Sequence, residues 1–473
     1  MCGATNDNVG PRTVDDTLAL LRKYDRPGPR YTSYPTAVEF TPEFTDKQYR
    51  DRLATADRRK HEPLSLYVHI PFCDERCLYC GCNVVITKKR EVAAAYLEKL
   101  HREVDLLAEQ LPNRRRVSQY HWGGGTPTYL SEDQIEGLCG KIAERFEVVP
   151  DAEVAIEVDP RATSFEQMRL LKRLGFNRIS MGVQDFTPEV QAAVRRDQTE
   201  QQTRTLYDEC RRLGFQSINL DLIYGLPLQT PATFARSIET VIDLRPDRIA
   251  AYSYAFVPWL KAHQKWIDVE AMPDPATKLR LFVIAREMLL DAGYEQIGMD
   301  HFALPDDEMV QAMKQRRLHR NFMGYTVKRG SDMVGLGLSA IGDVSSSLAQ
   351  NAKKLSAYNS AVASGRLPIE RGVALDRDDL IRREVITRLM CNFHLDRGEI
   401  ESTFGIEFAT YFARELDELG AEDGPVRHGF LEIHPDRLEV LGDGRLFVRN
   451  ICMTFDRYLR KDEPTRRVFS RTV

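Results

Sequence analysis

Four cysteines stand close together in Cys73-Asp-Glu-Arg-Cys77-Leu-Tyr-Cys80-Gly-Cys82, while the other five are scattered through the chain. Cys73, Cys77 and Cys80 fall at CxxxCxxC spacing directly after the apolar run Leu66-Tyr67-Val68-His69-Ile70 and the breaker Pro71. Such a segment delivers a strand to a point, stops it, and folds thiolates around a common centre. Soft thiolates suit zinc or an iron–sulfur cluster. A structural zinc wants a fourth ligand, and Cys82, only two residues beyond Cys80, would strain a tetrahedral site. Three close cysteines instead leave one iron of a 4Fe-4S cluster open to a small molecule. Ordinary buried cysteines, the alternative, do not gather at this density.

The spacing after a strand resembles the signature of the radical S-adenosylmethionine (SAM) enzymes. Tyr79 stands where that superfamily usually places an aromatic.

The elements needed to hold such a loop recur along the chain. Apolar strand candidates lie at 64–70, 117–122, 153–158, 178–183, 218–224, 248–254 and about 295–299. Val92–Leu111 reads as an amphipathic helix, Ser131-Glu-Asp-Gln134 as a capping box, and Thr187-Pro188 and Thr230-Pro231 as helix starts. Leu171–Ile179 echoes Cys210–Ile218, and Leu290–Ile297 keeps the same rhythm. Each is a helix ended by a glycine, followed by an aromatic and a strand. Strands alternating with helices imply βαβ units and a parallel sheet. A full eight-unit barrel takes about 250 residues or slightly more. The six or seven units in 64–300 therefore predict a partial (β/α)6-type, TIM-like barrel rather than a doubly wound sheet. We expect residues 1–50 to be an N-terminal extension contacting the active site. Residues 51–370 should form the barrel domain, and 371–473 a mostly helical, winged-helix-like domain.

Outside the barrel, Val14–Tyr24 has a short helical pattern, and Pro29-Arg-Tyr-Thr-Ser-Tyr-Pro35 is held extended by its prolines. The glycines of Val334–Gly342 fit either a close approach to a ligand or a tight core turn. From Asp376, helices at 378–391 and 406–419 precede a hairpin around Pro435-Asp436 and a last helix after Asp443-Gly444. Winged helices often bind nucleic acid, but no helix face here carries one sign of charge. A lid or docking role is the better reading.

In a parallel barrel functional groups collect at the C-terminal ends of the strands. That rule selects the cysteine loop, Trp122-Gly123-Gly124-Gly125-Thr126-Pro127, Glu157 with Asp159, Gln184-Asp185 and Asp221. The glycines expose backbone able to pair with the amino acid end of SAM, and Glu157 can accept from ribose hydroxyls. A lone Asp221 in an apolar run is costly unless paired or bound. Tyr67 and His69 share one face of the first strand; His69 reads as a catalytic candidate or a satisfied core residue.

Composition narrows the function class. Sixty-six basic against seventy acidic residues give a net charge of -4, so no bulk field draws nucleic acid or membrane. The N-terminus has no apolar segment of signal-peptide type, and no run of eighteen apolar residues occurs. Cysteine clustering suits a reducing compartment, and the expectation is a cytoplasmic protein.

Several segments together are similar to the oxygen-independent coproporphyrinogen III oxidases. They are Pro29–Ala37, Tyr67–Cys73, Cys80–Asn83, His121–Thr128, Ser180–Phe186, Asp221–Pro227, Gly298–Phe302, His319–Phe322 and Asn450–Phe455. The resemblance runs from about Arg30 to the C-terminus. It implies that Cys73, Cys77 and Cys80 hold a 4Fe-4S cluster, with Cys82 nearby but not ligating. Tyr67, Gly124, Glu157 and Ile341 would contact the SAM on the cluster. Tyr79, Gly125, Thr126, Gln184, Arg196, Asp221 and Ala255 would contact a second SAM. The implied reaction is oxidative decarboxylation of two propionates of coproporphyrinogen III to vinyls, giving protoporphyrinogen IX. Tyr67 and His69 are the catalytic candidates, and Arg30, Tyr31 and Arg320 are candidate partners of the substrate's carboxylates. An electron donor such as flavodoxin or ferredoxin is implied, while the residues name no electron acceptor. A monomer is expected, with no nucleic-acid or membrane partner. A related haem chaperone lineage commonly carries Asp-Phe after its last cluster cysteine; here Gly81-Cys82 follows.

Overall fold

Six of the seven strand candidates lie side by side in sequence order in the computed structural model, which describes residues 20, 23–24, 26–328, 332–460 and 469. They are β1 (Leu64–Ile70), β2 (Arg116–Gly124), β3 (Glu147–Val158), β4 (Arg178–Gln184), β5 (Ser217–Tyr224) and β6 (Arg248–Ser253). Every neighbouring pair is parallel. After α1 (Asp46–Asp57), a helix follows each strand: α2 (Arg90–Gln110), α3 (Glu132–Arg145), α4 (Phe165–Arg173), α5 (Glu200–Arg212), α6 (Pro231–Leu244) and α7 (Pro275–Asp291). The protein is thus an α/β partial barrel of six βα units with a mostly helical C-terminal part.

The seventh candidate does not extend the parallel set. β7 (Glu295–Ile297) turns back through Gly298, whose φ of 57° is left-handed, into β8 (His301–Ala303). β8 pairs antiparallel with both β6 and β7, so β7 is the outer edge. On the other side β9 (Met333–Leu336) runs parallel to β1, and antiparallel β10 (Ile341–Asp343), β11 (Ser347–Asn351) and β12 (Ile369–Ala374) complete a sheet of twelve strands.

Alternation along β1 explains the lumen. Leu64, Leu66, Val68 and Ile70 are fully buried in the main apolar cluster with Leu97, Leu100, Val104 and Leu107 of α2. Burial of each large side chain is worth roughly 1.5–3 kcal/mol. The intervening Ser65, Tyr67 and His69 point the other way, into the barrel. Ser65 donates to Gln119 (3.1 Å), and the Gln119 amide donates to Glu153 (3.0 Å) and Thr326 (3.1 Å).

The helix starts follow their local chemistry. Ser131 caps α3 through a reciprocal box with Gln134, and Thr230 caps α6. Pro188 opens the short helix Pro188–Ala193, although the Thr187 side chain makes no capping bond. Gly175, Gly214 and Gly293, which end the three echoed helices, all have positive φ. The glycines of Val334–Gly342 serve close packing within the protein: a Cβ on Gly335 would lie 2.6 Å from the Ile341 carbonyl oxygen.

The C-terminal part contains α8 (Arg377–Asn392) and a three-stranded antiparallel sheet of His394–Asp396, Arg437–Val440 and Leu431–Ile433. The single helix expected over 406–419 is instead two, Phe408–Tyr411 and Ala413–Gly420. Phe412 leaves helical geometry between them and packs fully buried against Phe408, Tyr411 and Phe455, so tertiary packing overrides the helical pattern. The last helix, Val448–Thr454, follows a 3-10 turn at Gly442–Phe447. Most of the helical pattern at Val14–Tyr24 lies outside the described residues; Lys23 and Tyr24 are helical. Among the described residues no helix is long and apolar enough to cross a membrane.

Candidate functional site

Beyond Pro71 the chain leaves β1 as a loop closed at its base. Phe72–Cys73 pairs parallel with Val85–Ile86, and Val85 and Thr87 donate to the carbonyls of Pro71 (2.7 Å) and Cys73 (3.1 Å). Inside the loop Cys80 N–H donates to the Cys77 carbonyl (3.2 Å), and Leu78 N–H reaches Val194 (2.9 Å). Cys73, Cys77, Cys80 and Cys82 thereby line one cavity of about 550 Å³, and none is in a disulfide.

The sulfurs sit in a partly cationic setting. Arg161 and Arg196 donate to Cys77 Sγ at 3.6 and 3.7 Å. The hydrogen bond from Cys82 pushes the Cys80 thiol down to about 6 and raises that of Cys82. Burial pushes Cys73 up to about 11, against a hydrogen bond with Thr126; iron binding would displace that proton. Among the described residues no three His, Cys, Asp or Glu side chains are placed to hold a single metal ion. Of these four free thiols, Cys73, Cys77 and Cys80 at CxxxCxxC spacing are a donor set that fits an iron–sulfur cluster with an open position.

The second strand end is built by close approach. Gly124 has a φ of 115°, and a Cβ there would meet the His69 ring at 2.7 Å. A Cβ on Gly123 would strike the Glu157 carboxylate at 2.8 Å. The backbone N–H groups of this segment are already used. Gly124 donates to Glu157 (3.2 Å), Gly125 to Ile70 (2.8 Å) and Thr126 to Phe72 (2.8 Å). Pairing with a ligand therefore falls to the carbonyls and to Glu157. Burial alone would raise Glu157, but His121 and Gly124 outweigh it and hold its carboxylate below the usual range.

His69 is a locked ring. Its Nε2 lies 3.0 Å from the Asn83 carbonyl and must carry the proton, so Nδ1 accepts from the Tyr67 hydroxyl at 3.1 Å. Burial depresses its basicity and keeps it neutral. Tyr67 in turn stacks on His121, ring centroids 6.0 Å apart. Both residues support the cavity wall from behind rather than lining it.

At the fourth and fifth strand ends the cavity is lined by Ser180, Gly182, Gln184 and Asp221. Gln184 holds a left-handed φ of 73°, the kind of backbone strain found at ligand sites. Asp221 accepts from Asn219 (2.8 Å) and Ser180 (3.0 Å), both neutral. Burial, reinforced by Glu157, pushes its carboxyl up to about 7. Arg196 is 4% exposed and joins three elements, donating to the Gly182 carbonyl (2.6 Å), Tyr79 hydroxyl (3.1 Å) and Asp159 (3.4 Å). Asp185, by contrast, is structural: fully buried, it binds Gln229, Ser237 and the Thr187 N–H.

Of the other expected contacts, Tyr79, Gly124, Gly125 and Thr126 line the cavity, and Ala255 and Ile341 do not. Ala255 and Tyr79 share the amide of Gln264, which donates to both carbonyls. Ile341 packs with Phe40, Leu348 and Leu375.

Arg30 and Arg320 meet around one carboxylate beside the cavity. Arg30 pairs with Asp300 and lies over the ring of Tyr252, a lining residue, at 5.4 Å. Arg320 lies 4.8 Å over Tyr325, with its Nε buried and lacking a hydrogen-bond partner. Burial would raise Asp300, but Arg30, His301 and Arg320 hold it far below the carboxylate range. Tyr31 is turned elsewhere, its buried hydroxyl donating to Asp456 at 2.9 Å.

Arg161, Ser180 and Tyr252 line the cavity without having been singled out. For Ser180 a signal was available, since it shares the strand face of Gly182 and Gln184. Arg161 and Tyr252 enter through a loop and a sixth strand that carry no motif.

Comparison with known proteins places this geometry. The Radical SAM superfamily model matches residues 67–241, and the HemN C-terminal domain model matches 375–447. The chain is 45% identical over 97% of its length to oxygen-independent coproporphyrinogen III oxidase of Escherichia coli K12, covering 99% of that protein. The namesake in Pseudomonas aeruginosa is 44% identical, covering 96% of this chain and 98% of the relative. The solved structure of the Escherichia coli coproporphyrinogen III oxidase (HemN), described as a radical SAM enzyme, superposes with a TM-score of 0.88 at 44% identity, covering 93% of this chain and 98% of that one.

Proposed function

We propose, from the premise that the chain belongs to the oxygen-independent coproporphyrinogen III oxidases, how its own residues carry that family's reaction. The protein is a radical SAM oxidoreductase of anaerobic porphyrin biosynthesis that oxidatively decarboxylates two propionates of coproporphyrinogen III to vinyl groups. Its cofactors are a 4Fe-4S cluster and SAM. When bound, they would supply one-electron radical chemistry at the β-carbon of a propionate, which leaves a vinyl group once carbon dioxide and one further electron are lost.

The chain's part is to hold and shield. Cys73, Cys77 and Cys80 hold the cluster, with Cys82 as a neighbouring thiol. Glu157, kept anionic, accepts from ribose hydroxyls of the SAM on the cluster, and Tyr67, Gly124 and Ile341 complete its surroundings. A second SAM is served by Tyr79, Gly125, Thr126, Gln184, Arg196 and Asp221 at the cavity wall, with Ala255 tied to Tyr79 through the Gln264 amide. His69, neutral and locked, positions Gly124 and Tyr67 rather than moving a proton. Arg30 and Arg320 receive substrate carboxylates at the Tyr252 side of the cavity. Tyr31 anchors the segment that carries Arg30. In this reading residues 1–50 are an extension contacting the active site, 51–370 the barrel domain and 371–473 the closing domain. The enzyme works as a cytoplasmic monomer, reduced by flavodoxin or ferredoxin.

The observation that carries the proposal is the cavity itself, lined by four loop thiols together with the Glu157 and Asp221 carboxylates. The test is anaerobic turnover of the iron- and sulfide-reconstituted protein with reductant, SAM, coproporphyrinogen III and an electron acceptor. Protoporphyrinogen IX should form with about one deoxyadenosine per vinyl; SAM cleavage without porphyrin product would refute the substrate assignment.

A further inference from the structure

Immediately outside the cysteine loop, the chain after β6 presents an apolar surface. Eight large apolar side chains are exposed among the described residues, and five of them lie here: Leu228, Trp259, Leu260, Trp266 and Val269. Trp266 is 72% exposed. The Leu228 loop joins the segment through a bond from Leu228 N–H to Ala271 (2.8 Å). Single exposed apolar residues need no explanation, but a cluster of this kind marks an interaction surface.

Three side chains of the segment donate to backbone carbonyls of the cysteine loop. Lys261 reaches Cys82 (3.1 Å), His263 reaches Cys80 (2.8 Å) and Gln264 reaches Tyr79 (3.1 Å). The patch is therefore wired by hydrogen bonds to the residues that hold the cluster. Its rim is basic. Arg195 lies over Trp266 at 5.6 Å, Arg76 contacts His263 at 3.4 Å, and Lys265 and Lys353 are exposed. Lys261 and Arg371 lie close enough to Lys353 to lower its basicity, after burial. Acidic groups interrupt the rim: Asp268 and Glu270 flank Val269, and Glu370 accepts from the Lys353 N–H (2.9 Å), whereas on the cysteine-loop side Asp74 pairs with Arg90 and Glu75 with Lys88.

We propose that this patch is the docking surface for an acidic one-electron carrier protein, which gives a single electron to the centre behind the cysteine loop. The proposal rests on the cluster assignment above. The carrier ends one electron more oxidised, and the transfer needs no bond to form or break. A small apolar centre with a basic rim suits a partner that must bind quickly and leave, because charge steers encounter and sets the salt dependence. Interfaces of this class are small.

The test uses the full-length, cluster-loaded protein with flavodoxin as the probe and dithionite as a small reductant that needs no docking. Trp266→Ser and Lys265→Glu alter the patch without touching the cavity. Calorimetry should show oxidised flavodoxin binding the parent protein, more weakly as salt rises, and about tenfold more weakly to either variant. Deoxyadenosine formation at low flavodoxin should fall by a similar factor, while the dithionite-driven rate stays at the parent value. Unchanged flavodoxin affinity in both variants would overturn the proposal. So would a parent protein that binds neither flavodoxin nor ferredoxin, or sedimentation showing the patch buried between two copies of the chain. Failure of dithionite to produce deoxyadenosine would instead break the cluster reading, and the calorimetry would still judge the surface.

Discussion

Near the N-terminal ends of the strands the barrel lumen holds Gln119, Glu153, Arg178 and Arg248, and each charge there finds an opposite within the protein. Arg248 donates to Asp307 (2.8 Å) and Glu308 (3.0 Å), and Arg178 pairs with Glu308 (2.6 Å). At the other end of the same strands, Glu157 and Asp221 face a cavity, and Asp221 has only neutral hydrogen-bond donors and rises to about 7. Both regions are polar because strand alternation sends every second side chain inward. They differ in what completes them: the lower lumen is closed by the protein's own ions, whereas in the proposed function ligands complete the upper lumen. Substitutions below should therefore unfold, and substitutions above should unload.

The largest effect should come from the cysteines. Cys73→Ala, Cys77→Ala or Cys80→Ala should lose cluster iron and the brown absorbance, with deoxyadenosine formation falling to background; iron analysis after anaerobic reconstitution checks this. Cys82→Ala should retain its iron. Equal iron loss in all four variants would erase the distinction between ligand and neighbour.

Next in size is Arg248→Met, which leaves buried Asp307 without its cation. Breaking such a pair costs about 3–5 kcal/mol, readable by denaturant unfolding, while the folded fraction should still bind SAM. Arg30→Ala or Arg320→Ala should raise KM for coproporphyrinogen III about tenfold or more, as expected for one charge-assisted hydrogen bond of roughly 1.5–3 kcal/mol. An unchanged KM removes that arginine from the substrate site.

The smallest effect concerns Asp221 in the metal-free protein. Its folded value of about 7 lies above the usual 3.8. Between those values the folded chain keeps a proton that the unfolded chain has lost, so its contribution to stability is greatest in acid and declines as pH rises toward 7. Asp221→Asn should flatten that part of the decline in Tm. A parallel shift at all pH values would show that Asp221 is not the group titrating.

Much of this arrangement was legible in the residues. The first strand is legible at 64–70 because its apolar run ends at the breaker Pro71, and the structure has Leu64–Ile70. The three-cysteine spacing and the strand-end rule together marked most of the cavity wall. Less visible was whatever depends on distant pairing. β9 to β12 are short and rich in glycine or polar residues, and they join the sheet only because β1 offers a free edge. The reversal at Gly298 converted an expected parallel strand into a hairpin. Backbone N–H groups of Gly124, Gly125 and Thr126 looked available to a ligand, yet Glu157, Ile70 and Phe72 had already taken them. Arg161 reaches Cys77 from a loop far away in sequence, a contact that no local pattern encodes.

The most direct measurement is equilibrium dialysis of SAM against cluster-loaded parent, Glu157→Gln and Arg248→Met proteins. Two SAM molecules per chain are expected in the parent. Glu157→Gln should weaken one of them at least tenfold, while folded Arg248→Met should bind as the parent does, because only the upper lumen is completed by ligand. Unaltered binding in Glu157→Gln, or a loss confined to Arg248→Met, would contradict the division of the lumen on which the account depends.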